Sequence, residues 1–123
     1  MKIKKIEALT LPVSDLIRAT RFYHEVFNLP LIQEDHTQKI STMRCGQQFL
    51  NLTEATNFTP INLGLRIIVG DNLSDVLNHL KSYFVEFVSE EPTKSIGLEG
   101  YLLSVKIKDL DGNIIEVATY SDR

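Results

Sequence analysis

The chain has 123 residues, of which 43% are hydrophobic and 24% charged, and this composition excludes a disordered chain and a disulfide-stabilised miniprotein. The formal net charge of -3 and the lack of an apolar run of about 20 residues argue against nucleic-acid binding and membrane spanning. A single cysteine, Cys45, and a start without the apolar stretch of a secretion signal predict a cytoplasmic protein.

A strand and a helix are predicted at the start of the chain. Residues 7–13 alternate between apolar and polar side chains, as in a half-buried strand, and Pro12 predicts an edge or a turn at its end. Ser14 and Asp15 supply a helix N-cap, and apolar residues then recur every three or four positions until residues 28–30. Three short strand candidates follow, at residues 31–34, 39–44 and 48–52. The polar residues 53–60 predict a joint.

The second half repeats this order of elements. It contains a strand at residues 61–69, a helix capped at residues 71–72, and three strand candidates at residues 85–88, 101–108 and 114–120. The repetition predicts two βαβββ modules, at about 1–56 and about 57–123. The alternative is chance recurrence of a common α+β pattern.

A tight turn near the C-terminus carries the most specific motif. Asp111-Gly112-Asn113 offers side-chain acceptors and easy access to positive φ, as a hairpin requires. Residues 108–116, with the sequence KDLDGNIIE, resemble the DPDGNxIE turn of the vicinal oxygen chelate superfamily. Residues 11–16 and 22–30 resemble the same family, although Asn28 and Leu110 stand where it commonly has glycine and proline.

That superfamily includes glyoxalase I, extradiol dioxygenases, fosfomycin resistance enzymes and bleomycin-binding proteins. The resemblance covers nearly the whole chain and is nearest to small bacterial glyoxalase-like or virulence-associated members. It implies an α+β fold in which residues 1–123 form a single domain, with the curved mixed sheets of two βαβββ modules around a small-molecule cleft.

The resemblance also implies where a metal ion would bind. In the family's metalloenzymes each module contributes one ligand from its first strand and one from its last. The corresponding positions here are Ala8 and Asn51 in the first module and Asn62 and Glu116 in the second. One carboxylate among four positions is a poor set for zinc, nickel or iron. We therefore expect no tightly bound cofactor, and a weak divalent-cation site using Glu116, amide oxygens and water is left open.

Strand alternation predicts which side chains share a sheet face with Glu116. Six candidate ligand-binding residues result: Arg44, Phe49, Asn51, Asn62, Arg66 and Lys106. Three cations around one acid suit a small anionic or carboxylate-bearing ligand, because guanidinium groups bind carboxylates in bidentate fashion. The alternative is that Lys106 forms a surface ion pair with Glu116 and the arginines are solvated.

Three functions follow from these residues and the resemblance. The first is a small-molecule-binding protein with a degraded metal site. The second is a metal-dependent lyase, isomerase or dioxygenase of the glyoxalase type, with Glu116 as metal ligand or catalytic base. The third is a non-catalytic protein that sequesters an antibiotic. In each case a homodimer is expected, because paired modules of this kind associate through sheet edges and exposed apolar residues.

Overall fold

A computed structural model describes residues 1–60, 62, 64–89 and 91–121. Its contacts divide the chain into two compact units, Met1–Thr59 and Pro60–Arg123. The boundary between these units lies within the predicted joint at residues 53–60. The organisation of both units as one domain stays a prediction.

The first unit has the order βαβββ. Its elements are β1 (Ala8–Val13), α1 (Leu16–Phe27), β2 (Leu31–Asp35), β3 (Ile40–Cys45) and β4 (Gln48–Glu54). They form a four-stranded sheet in the order β1-β4-β3-β2, in which β1 runs parallel to β4 and the other pairs are antiparallel. Pro12 lies within β1, where a missing N–H is tolerated because the strand is at the sheet edge.

Helix α1 covers one side of this sheet. Asp15 caps its N-terminus by accepting a hydrogen bond from the Arg18 N–H, and Asn28 ends it in the left-handed region at φ 56°. The helix contacts β3 and β4, and the buried side chains of the unit include Tyr23, Met43 and Leu52. Burying each such side chain stabilises the fold by about 1.5–3 kcal/mol.

The second unit repeats the pattern with one strand divided. Its elements are β5 (Arg66–Ile68), α2 (Leu73–Ser82), β6 (Glu86–Phe87), β7 (Thr93–Gly97), β8 (Gly100–Lys108) and β9 (Ile114–Ser121). The sheet order is β5-β9-β8-β6, and β7 also pairs with β8. Because β9 occupies the other edge of β8, the strands β6 and β7 together take the place that β2 has in the first unit. The predicted α+β fold is confirmed.

Two predictions about this unit need correction. Within the predicted strand at residues 61–69, the described residues form a strand only at Arg66–Ile68. Ile61 and Leu63 are not among the described residues. Asn62 is therefore not a strand residue: it is exposed, and its Oδ1 accepts a hydrogen bond from the Gly64 N–H at 3.0 Å. Strand β7 was not predicted, because residues 93–97 lack apolar alternation and depend on pairing with β8.

Candidate functional site

Glu116 lies in the centre of the second sheet. It belongs to β9, and its neighbours across the sheet are Arg66 on β5 and Lys106 on β8. The Nε of Arg66 donates a hydrogen bond to Oε1 of Glu116 at 2.9 Å. The side chain of Glu116 is 17% exposed and that of Arg66 is 45% exposed. The ion pair is therefore partly shielded from solvent on the carboxylate side.

The carboxylate of Glu116 is held in its charged form. Burial by itself raises its pKa, but hydrogen bonds from Arg66 and Ser104 and the positive charges of Arg66 and Lys106 outweigh that effect and hold the pKa below its ordinary value. Glu116 is thus ionised at neutral pH. A carboxylate of lowered pKa is a weak proton acceptor, which makes Glu116 poorly suited to general base catalysis.

These residues line a cavity of about 290 Å³ in the second unit. The lining also includes residues with hydroxyl or carboxylate side chains: Thr93, Ser95, Ser104 and Glu91. Thr93 and Ser95 were missed in the sequence because they belong to β7. Once the pairing of β7 with β8 is known, the two-residue spacing of Thr93 and Ser95 places both side chains on the same face of the sheet, and this spacing is the signal that could have found them.

The first unit contains three of the candidate residues. Thr42 lies opposite Asn51 and donates a hydrogen bond from Oγ1 to Oδ1 at 2.6 Å. Arg44 lies opposite Phe49, and its Cζ is 4.8 Å from the centre of that ring. Asn51 and Thr42 line a cavity of about 380 Å³ whose other polar residues include threonine and glutamine.

Within the second unit, the structure brings together part of the predicted set. Arg66 and Lys106 flank Glu116, as strand alternation predicts. Arg44 belongs to the other unit, where it stacks on Phe49. Lys106, predicted as an alternative ion-pair partner of Glu116, interacts with it through charge, whereas the hydrogen-bonded ion pair of Glu116 is with Arg66.

The residues at the family's metal-ligand positions do not fit a tightly bound transition metal. Ala8 has no donor atom, and the amide oxygens of Asn51 and Asn62 each accept a hydrogen bond from the protein. Glu116 binds Arg66. Among the described residues, no three His, Cys, Asp or Glu side chains form a group that could hold a metal ion. Zinc, nickel and iron sites normally have three or four imidazole, thiolate or carboxylate donors.

Neither helix in the described part of the chain is both long and apolar enough to span a membrane.

Known proteins share this sequence and architecture. Virulence protein STM3117 of Salmonella typhimurium (strain LT2) is 30% identical, over 98% of this chain and 87% of its own length. Its crystal structure superimposes with a TM-score of 0.78, covering 98% of this chain and 100% of that one. Integron cassette protein VCH_CASS1 from the mobile metagenome of V. Cholerae superimposes with a TM-score of 0.80 at 30% identity, with 98% of each chain covered.

A more distant structure shares the fold alone. The fosfomycin resistance protein FosX of Listeria monocytogenes superimposes with a TM-score of 0.78 at 17% identity, covering 98% of this chain and 97% of that one. The model of the Glyoxalase/Bleomycin resistance protein/Dioxygenase superfamily matches residues 5–117. This match confirms the resemblance inferred from the turn motif. The chain belongs to the Glyoxalase/Bleomycin resistance protein/Dioxygenase superfamily, which is the vicinal oxygen chelate superfamily.

Proposed function

We propose that the protein binds a small carboxylate-bearing compound through Arg66 and Lys106, without a tightly bound metal ion. The observation that carries this proposal is the position of both cations beside Glu116 in one cavity of about 290 Å³. That volume lies just below the range of about 300–1,000 Å³ typical of ligand pockets. A compact ligand is therefore favoured over a large one.

Arg66 lines this cavity and has donor groups that can bind an anion. Its Nε is engaged with Glu116 at 2.9 Å, and a guanidinium has further N–H donors on its two terminal nitrogens. Those two nitrogens can form a bidentate pair with a ligand carboxylate. Because Glu116 already holds the side chain in place, less conformational entropy is lost on binding. Glu116 is thus a positioning residue in this proposal.

The rest of the cavity suits a polar ligand. Lys106 supplies a second positive charge from β8, and the hydroxyls of Thr93, Ser95 and Ser104 can donate or accept hydrogen bonds. The lining of the cavity holds two cations, Arg66 and Lys106, and two acids, Glu116 and Glu91, so a monoanionic group is favoured over a dianion. Small hydroxy acids and keto acids have this chemistry.

Isothermal titration calorimetry with a panel of small hydroxy, keto and simple carboxylates tests the proposal. Loss of a hydrogen bond to a charged group costs about 1.5–3 kcal/mol, so Arg66→Ala is expected to raise the Kd of a binding carboxylate by about 10- to 150-fold. The matched control is Arg21→Ala. It removes the ion pair between Nε of Arg21 and Oε1 of Glu25, which has the same length of 2.9 Å and lies on the exposed face of α1. An unchanged Kd in Arg66→Ala would remove Arg66 from the site.

A metal-dependent lyase, isomerase or dioxygenase is the competing function. It predicts turnover that depends on manganese, nickel, iron or zinc, whereas a binding or sequestering protein predicts stoichiometric binding without turnover. The ion pair between Arg66 and Glu116 favours binding, because it engages the one acid at the family's ligand positions. A cytoplasmic location and a homodimeric assembly are further parts of the proposal.

A further inference from the structure

The second sheet gives Glu116 a cation from its own chain. Strands β5 and β9 are parallel, and their register places Arg66 directly beside Glu116, although the two residues are 50 positions apart in sequence. Lys106 is the neighbour of Glu116 on the opposite strand, β8. The carboxylate is therefore flanked by a positive side chain on each side.

This arrangement conflicts with a divalent cation at the same carboxylate. An oxygen-bound divalent cation lies about 2.0–2.6 Å from its ligand atom. Oε1 of Glu116 already accepts the Arg66 Nε hydrogen bond at 2.9 Å. A metal ion would have to displace the guanidinium or tolerate its charge at close range, and Lys106 would add to the repulsion.

Other donors in the second unit do not offset that repulsion. Asn62 precedes β5, and its Oδ1 accepts the Gly64 N–H. Ser104 donates its hydroxyl hydrogen to Glu116. The carboxylate of Glu91 also lines the cavity, but among the described residues no three His, Cys, Asp or Glu side chains form a group that could hold a metal ion. The other oxygens in the lining include hydroxyls, which bind cations more weakly than carboxylates do.

We infer that Arg66 is the resident counter-ion of Glu116 and replaces the divalent metal ion that binds the last-strand acid in the family's metalloenzymes. Arg66 excludes a metal from this carboxylate by geometry and charge. Since a guanidinium stays protonated at any physiological pH, the replacement is permanent and needs no metal supply.

Titration with Mn²⁺ alone, followed by electron paramagnetic resonance of the free ion, tests the inference. Wild type and Glu116→Gln are expected to give the same titration curve. Arg66→Ala is expected to bind Mn²⁺ about tenfold more tightly than wild type, because a unit positive charge beside the carboxylate is gone. Adding Glu116→Gln to Arg66→Ala should remove that gain. Arg66→Lys should behave as wild type, and Arg21→Ala is the control for loss of an exposed ion pair.

A second measurement shows both whether Arg66→Ala folds and whether Arg66 and Glu116 act as a pair. The midpoints of urea unfolding are measured for wild type, Arg66→Ala, Glu116→Gln and the double variant. If the residues act as a pair, the double variant loses less stability than the two single losses added together.

Two results would overturn the inference. One is stoichiometric Mn²⁺ binding by wild type that Glu116→Gln abolishes, and the other is strict additivity in the urea cycle. Neither result depends on whether a carboxylate ligand binds, so the failure of this inference is distinguishable from that of the proposed function.

Discussion

Asp109 organises the turn between β8 and β9. Its Oδ1 accepts the backbone N–H groups of Asp111 and Asn113, each at 2.9 Å, and its Oδ2 accepts the Asn113 side-chain amide at 2.9 Å. Gly112 completes the turn at φ 85°, which glycine adopts without strain. Asp109 and Asn113 are both buried. The turn directs β9 back along β8 and thereby brings Glu116 beside Lys106.

Asp109→Ala is expected to destabilise the protein substantially. It leaves the buried Asn113 amide and two backbone N–H groups without this acceptor, and each such group costs about 1–3 kcal/mol. Urea unfolding followed by circular dichroism measures the loss. Leu110→Ala, at an exposed position of the same turn, is the control and should change stability far less. Equal stability of the two variants would contradict the role given to Asp109.

At the scale of elements, Glu54 links the end of β4 to the start of α1. Its Oε1 accepts the Leu16 N–H at 3.0 Å, and its Oε2 lies 3.2 Å from Nζ of Lys39. The hydrogen bond from Leu16 and the hydrogen bond and charge of Lys39 hold the pKa of Glu54 below its ordinary value. A carboxylate at a helix N-terminus also interacts favourably with the helix dipole.

This contact predicts a specific pH dependence of stability. Because the folded-state pKa of Glu54 is lowered, the unfolded chain takes up the proton first as pH falls. The contribution of Glu54 is therefore complete well above the ordinary glutamate pKa of about 4.3 and is lost in acid, as pH falls through the folded-state pKa. Urea midpoints from pH 7 to pH 3 should drop further for wild type than for Glu54→Gln. Parallel curves would show that Glu54 does not contribute in this way.

The helix and strand positions illustrate which elements a sequence predicts well. Helix α1 was predicted from its apolar spacing and its Asp15 cap, both of which are local features. Asn28 ends the helix in the left-handed region, which asparagine tolerates better than most residues. Strand β7 was missed because its hydrogen bonds to β8, and not an apolar pattern of its own, make it a strand.

At the scale of the whole molecule, exposed apolar side chains provide a candidate surface for the proposed homodimer. Ile96 is 82% exposed and Leu98 is fully exposed at the hairpin between β7 and β8, and Tyr101 beside them is 43% exposed. Clustered apolar groups of this kind are more typical of interaction surfaces than of solvated ones.

We expect light scattering coupled to size-exclusion chromatography to give a mass twice the 14.0 kDa of one chain. A mass of one chain across a tenfold range of concentration would contradict the proposed homodimer. Leu98→Lys is the informative variant: because it places a charge on the exposed hairpin, it should lower the dimer fraction if that hairpin lies in the interface.

The amino-acid sequence by itself determined the family, the α+β order of elements in the first unit and the turn at Asp111-Gly112-Asn113, because periodicity, caps and turn residues act over a few positions. It also identified Glu116 as the single acid among the family's metal-ligand positions. Only the tertiary structure decided which of the residues predicted to share its sheet face are direct neighbours of that acid. The pairing of Arg66 with Glu116, the cap that Glu54 provides for α1 and the cavity wall formed by β7 all join residues distant in sequence. Strand register brings such residues together, and a shift of one residue would turn each side chain to the opposite face.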